Sequence, residues 1–220
     1  MIFSHYLFEQ PIDFSDCLLQ RLVIESPAFM GSMVGELSDQ VRGNKGRFIL
    51  SKSYDELDIS RKLNLVIDPF ALDTSSKDIV AGLHKRVAEY LENGDNYLQT
   101  NTILCELVNY IIDKTTDLEV SVEIDELAVQ AVLKSTSLKL MEAENLSEKV
   151  HDYVNFASKY AGKEMSVIVG IDHFVSIDEY QSLLKSMQYL NIPILFIESE
   201  FKADGIPTKI IDADCCELNL

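Results

Sequence analysis

The sequence predicts an α/β protein: a parallel-sheet core built from both ends of the chain, with an α-helical domain inserted between them. Three observations predict it. Short apolar runs bounded by turn formers recur before residue 75 and again after residue 160, as buried strands do. Between them, from Ser75 to about Lys159, proline and glycine almost vanish and the apolar spacing becomes helical. After Gly162 the order is run, amphipathic stretch, run, with short links, which builds a right-handed strand–helix–strand unit on a parallel sheet. The expected division is therefore 1–74 plus 160–220 for the core and 75–159 for the insert.

In chain order, RLVIESPAFMGSMVGEL (21–37) opens with Leu22, Val23 and Ile24, turns through small residues and continues helically. That is the strand–turn–helix setting of a phosphate-binding loop. No G-x-x-x-x-G-K-[ST] occurs, and the turn has no lysine to reach a phosphate. The scaffold is of nucleotide-binding type with its phosphate loop missing. RFILSK (47–52) and LNLVIDPF (63–70) read as strands. Asp73, Thr74 and Ser75 offer N-caps for a helix that stops at Asn93–Gly94. TNTILCELVNYIIDKT sets Ile103, Leu104, Leu107, Val108, Ile111 and Ile112 on one broad helical face. VEIDELAVQAVLKSTSLKL predicts a helix that begins with acids, and NLSEKVHDYVNFASKYAGK one that closes at Gly162. SVIVGI (166–171) and IPILFIES (192–199) are buried-strand runs flanking a helix capped by Ser176. TKIIDAD (208–214) predicts a short edge strand.

Composition narrows the class. Of 220 residues 47% are hydrophobic and 25% charged, the balance of a soluble globular protein. No apolar stretch is long enough to cross a bilayer, so no membrane partner is expected. The start, MIFSHYLFEQPIDF, lacks the basic residues of a signal peptide, and cytoplasmic residence is the expectation. Four cysteines show no C-x-x-C spacing and no disulfide framework. Cys17 and Cys105 lie in apolar surroundings and read as core thiols. The net charge of −17 repels nucleic acid when averaged over the molecule. The signs are segregated, however. RGNKGRFILSK (42–52) carries four basic side chains and no acid, and DKTTDLEVSVEIDE (113–126) carries six acids and one lysine.

Chemistry-bearing residues fall into three groups. Asp68 and Asp172 end apolar strands, where nucleotide hydrolases keep a metal-holding aspartate and where aspartate also serves as a turn former. Asp117, Glu119, Glu123, Asp125 and Glu126 crowd the start of a helix. The helix dipole favours acids there, and several carboxylates can also converge on a hard cation such as Ca²⁺. Lys134 and Lys139 follow on the same predicted helix, and Lys85 and Arg86 lie on the preceding helical hairpin. Phosphate binding needs a row of cations and no base-reading side chain, and an oligomer builds that row by repetition. No catalytic triad, zinc motif or cysteine–histidine pair emerges, so no enzymatic activity is expected. Two alternatives stand beside a DNA-binding reading: a divergent Mg²⁺-dependent nucleotide hydrolase, and an interaction scaffold without DNA contact.

The stretches FEQPIDF, LNLVIDPFALDTSSKDIVAGLHKRV, ILCELVNYIID, EIDELAVQAVLKSTSLKL and VSIDEYQSLLKSMQYLNIPILFIES, in this order, resemble the CRISPR-associated adaptation protein of type II-A systems. The resemblance covers nearly the whole chain. It implies an α/β core like a degenerate P-loop ATPase with a helical insertion, a homotetrameric ring with a basic hole, and calcium-dependent, sequence-independent binding of double-stranded DNA ends during spacer acquisition. It implies no hydrolase role. The implied partners are the CRISPR integrase complex and the RNA-guided nuclease. By position, the family's lysines beside the hole match Lys134 and Lys139, and its acidic stretch matches Glu119, Glu123, Asp125 and Glu126. Ser121 stands where the family pattern tends to have a further acid. Carboxylates beside a DNA channel repel phosphate when bare, so metal and DNA binding are expected to be linked.

Overall fold

Strands and helices alternate through both ends of the chain: β1 (Ile2–His5), β2 (Ile12–Asp13), β3 (Leu19–Ile24), α1 (Pro27–Val41), β4 (Phe48–Lys52), β5 (Asp55–Leu57), α2 (Ile59–Lys62) and β6 (Leu63–Val66) come first. Then follow α3 (Lys77–Leu91), α4 (Asn96–Thr116), α5 (Val129–Ser135) and α6 (Leu146–Ala161). The chain closes with β7 (Met165–Val169), α7 (Ile177–Gln188), β8 (Ile194–Glu198), β9 (Thr208–Ile211) and β10 (Glu217–Leu218). The computed structural model describes residues 1–116, 118, 122–124, 127–136, 138–141 and 143–218.

Two compact units result, residues 1–74 with 142–220 and residues 75–141. The first holds a six-stranded sheet in the order β10-β9-β3-β8-β7-β6. All of its strands run parallel except β10. Both faces are covered, which is why its strands are nearly continuous apolar runs. Alternate residues serve opposite faces. Leu22, Ile24, Val167, Leu195 and Ile197 pack with Met33 and Leu37 of α1 and with Phe3, Phe48 and Leu50. The last three come from a small antiparallel sheet, β2-β1-β4-β5. On the other face Ile168, Ile194 and Phe196 meet Val150 and Val154 of α6 and Tyr180, Leu183, Leu184 and Met187 of α7.

That second face moves a predicted boundary. The insert was expected to reach residue 159, but it ends at 141 and α6 belongs to the first unit. The apolar stripe of α6 is spent covering the sheet. The caps of α6 and α7 follow their sequence signals, whereas α3 begins after Ser76, one residue past the predicted caps, and Ser76 makes no side-chain cap hydrogen bond. Ser176 and Glu179 form a reciprocal capping box on α7, and Gly162 ends α6 at φ 67°, a left-handed value glycine adopts without strain. The predicted edge strand Thr208–Ile211 is not at the edge, because β10 pairs outside it. Asp212 Oδ1 accepts from the backbone N–H groups of Asp214 and Cys216, and this turn folds the chain back.

The second unit is smaller. Ala88 of α3 and Val129 and Leu133 of α5 form its core, flanked by Val87, Leu91, Leu104 and Leu138. The broad face predicted for α4 is divided. Leu104 packs inward, while Ile103, Leu107, Tyr110 and Ile111 are between 39% and 61% exposed. Cys105 is exposed rather than a core thiol, since it sits on the flank of a helix that buries no residue fully. Among the described residues no helix is long and apolar enough to cross a membrane.

Candidate nucleic-acid interface

The four predicted phosphate contacts all lie in the second unit. Leu133 and Leu138 both anchor in its core, and Lys134 and Lys139 each follow one of these anchors and are exposed. Among the described residues neither lysine makes an ion pair. They do not share a helix as predicted. Ser135 and Thr136 donate their hydroxyls to the carbonyls of Val132 and Leu133, at 2.6 and 2.7 Å, and occupy acceptors at the end of the helix. The helix therefore closes at Ser135, and Lys139 follows outside any helix or strand. Lys85 and Arg86 are exposed on α3, but both reach Glu89, at 3.9 and 3.6 Å, which offsets part of their charge. α3 packs against α5, so Lys85, Arg86 and Lys134 belong to one pair of packed helices.

Of the expected calcium ligands, Glu119, Asp125 and Glu126 lie outside the described residues, as do Asp117 and Ser121. Glu123 is exposed. Among the described residues no group of three or more histidine, cysteine or acidic side chains is arranged to hold a metal ion. Glu123 alone offers at most two of the six to eight oxygens that Ca²⁺ takes.

The basic segment 42–52 is largely neutralised by its own fold. Arg47 forks onto Glu36 at 2.6 and 2.9 Å and lies over the Tyr6 ring at 4.4 Å. Lys52 pairs with Glu164 at 2.8 Å and Arg42 with Asp39 at 3.9 Å. Hydrogen bonds from Arg47 hold the Glu36 carboxyl at about 2, far below its usual value. Lys52 and Lys62 likewise lower Glu164. Only Lys45 of the four basic residues is without an ion pair among the described residues.

The turn where a phosphate loop would lie consists of Glu25 and Ser26 between β3 and α1. Ser26 caps α1, and its oxygen accepts from the N–H of Phe29 at 3.5 Å. Two residues cannot wrap a phosphate as an eight-residue signature loop does, and the Glu25 carboxylate opposes an anion there. Asp68 is a turn former: its Oδ1 accepts from the N–H groups of Phe70 and Ala71 at 2.9 and 3.3 Å. Asp172 is bound by Lys202 at 2.5 Å.

Beside Asp172 lies a buried ionic network that the sequence reading did not find. Arg21, fully buried in β3, meets Glu198 at 2.8 Å and forks onto Asp204 at 2.9 and 2.5 Å. Lys202 bridges Glu198 and Asp172. Tyr180 donates to Glu198. Burial opposes the charge on Arg21, but Asp204, Tyr180 and Glu198 raise its pKa. Burial, reinforced by Glu198, raises that of Tyr180 and keeps it neutral. The signal was present in LQRLVI and ILFIE, two buried-strand runs that each carry one charge of opposite sign.

The family model described as CRISPR-associated protein (Cas_Csn2) matches residues 40–215. The search of curated proteins finds no match. Among solved structures, one described as an ABC transporter ATP-binding protein from Pyrococcus furiosus is similar with a TM-score of 0.36 and 14% identity, over 87% of this chain and 84% of that one.

Proposed function

The chain belongs to the CRISPR-associated protein family Cas_Csn2, and from that premise we propose that it acts in spacer acquisition by holding the ends of double-stranded DNA, without enzymatic activity, in the basic hole of a homotetrameric ring. The observation that carries this reading is the placement of Lys134 and Lys139. Each follows a core leucine, is exposed, and has no ion-pair partner among the described residues, in a chain whose net charge is −17. Cations left free in so acidic a protein are available to phosphate. Repetition by symmetry turns a pair into a row, and contacts to phosphate alone hold duplex without reading bases. The exposed apolar stripe of α4 supports assembly of several copies.

Calcium is proposed as the cofactor, with Glu119, Glu123, Asp125 and Glu126 as its ligands. The CRISPR integrase complex and the RNA-guided nuclease are the proposed protein partners. The experiment compares linear and closed circular duplex of one sequence, in calcium and in chelator. Binding of the linear form alone, lost on chelation, is the expected result. Equal affinity for both forms rejects end capture, and indifference to chelation rejects the calcium requirement. Lys134→Glu with Lys139→Glu should abolish binding while the oligomer persists; unchanged affinity would remove these two residues from the interface.

A further inference from the structure

Two steps in the sequence place glycine directly after an asparagine or aspartate, Asn93–Gly94 and Asp204–Gly205. Such pairs can close on themselves. The backbone nitrogen of the glycine attacks Cγ of the preceding side chain and forms a five-membered imide. A side chain on the second residue would crowd that nitrogen, and glycine has none. The fold treats the two pairs differently. Both oxygens of Asp204 accept from the buried Arg21, at 2.9 and 2.5 Å, and Oδ1 also accepts from the N–H of Ile206 at 3.3 Å. That carboxylate is clamped. Asn93 and Gly94 instead stand exposed in the turn between α3 and α4. Among the described residues the Gly94 N–H donates no hydrogen bond, and a Cβ placed on Gly94 would meet nothing within 4 Å. Nitrogen and solvent are both free to react. The Asn93 amide is held by one exposed bond, from Nδ2 to the carbonyl of Glu89 at 2.6 Å.

We propose that Asn93 is a deamidation site in the folded protein and that its product weakens the hold of this part of the insert on phosphate. The bond from the Gly94 nitrogen to Asn93 Cγ forms as the Cγ–Nδ2 bond breaks, and the amide proton leaves with the side-chain nitrogen as ammonia. Water then opens the imide at either carbonyl, giving aspartate or isoaspartate. Three consequences follow from the surroundings. The product cannot donate to the Glu89 carbonyl, so the end of α3 loses a donor. Its charge falls at the negative end of α3, whose last turn carries no basic side chain. It also falls beside Arg86, because Asn93 and Arg86 line one hollow of about 790 Å³ together with Glu89 and Asp95. Arg86 already spends part of its charge on Glu89 at 3.6 Å, and a further carboxylate takes more. The effect on phosphate rests on the proposed DNA reading of Lys85 and Arg86; the modification does not.

The test incubates the full chain for days in mildly alkaline buffer, maps its peptides by mass, and labels isoaspartate with an isoaspartyl methyltransferase. Asn93 should convert, with ammonia released in step and methyl label on the same peptide. Asp204 should stay unlabelled. Asn93→Gln, whose ring would need a further member, should not convert at that position. Asn93→Asp supplies the charge without incubation and should lower affinity for linear duplex ends about threefold, the worth of one charge at a helix end. Arg86→Ala should remove most of that difference. An intact Asn93, equal conversion in Asn93→Gln, or equal labelling at Asp204 overturns the modification. Undiminished duplex affinity in Asn93→Asp overturns its effect on phosphate. A native chain that binds no duplex rejects the DNA reading instead, and the peptide map still decides the modification.

Discussion

Arg21 shows how one side chain couples two strands and a loop. Its guanidinium spans Glu198 on β8 and Asp204 beyond it, and its side chain is fully buried. Removing it strands two carboxylates next to Tyr180, so Arg21→Met should cost about 3–5 kcal/mol in urea unfolding, although the volume is nearly kept. Arg21→Lys should fall between, because an ammonium cannot fork onto two acids at once. A cost of Arg21→Met below about 1 kcal/mol would show that the network is dispensable. At the other face, Glu36 predicts an acid response. Its carboxyl lies at about 2 in the fold against an ordinary 4.5, held there first by hydrogen bonds from Arg47. A carboxylate depressed in this way contributes stability that is complete above 4.5 and fades as the pH falls towards 2. Urea midpoints measured across that window should converge for the native chain and Glu36→Gln; a constant gap would deny the link.

At the scale of elements, the strands of the core and the caps of α6 and α7 were legible because the signals are local. An apolar run between turn formers, Ser176 three residues before Glu179, and Gly162 after the last helical turn each act within a few residues. Ser176→Ala should therefore cost about 1 kcal/mol, measured as a lower unfolding midpoint, by freeing the N–H of Glu179 in the first turn of α7. What escaped depends on partners remote in sequence. Helical periodicity marks α6 correctly but does not say that its stripe covers the sheet rather than the insert. The predicted long helix through residue 140 stops at Ser135, where two hydroxyls compete for the terminal carbonyls. Arg21 and Glu198 stood in plain view as charges in apolar runs, yet only the pairing of β3 with β8 makes them neighbours. For the candidate interface, residue type and exposure of Lys134 and Lys139 were legible, while the end of the helix between them was not.

For the molecule as a whole, the acidic average and the cationic site are reconciled only if few cations act together. Two lysines per chain hold duplex weakly, because each phosphate contact changes the salt slope by only about 0.9. The proposed function therefore rests on assembly, and α4 presents an exposed apolar arc on which it can be tested. Leu104 and Val108 line a cavity of about 600 Å³ within the insert, whereas Ile103, Leu107, Tyr110 and Ile111 crowd an exposed arc of the same helix. An apolar arc this broad is covered along only one margin by the insert, and the rest of it calls for cover. Ile103→Glu with Leu107→Glu places two charges on the exposed arc without touching the inner one. Each lost apolar contact is worth about 1.5 kcal/mol, so the pair should weaken self-association about a hundredfold, read as a shift from oligomer to monomer in sedimentation. Helical content should stay constant. DNA-end affinity should fall together with the oligomer although Lys134 and Lys139 are intact. Loss of assembly with DNA affinity preserved would mean that a single chain suffices and that the ring is not the binding unit. An unchanged oligomer would move the self-association surface away from α4.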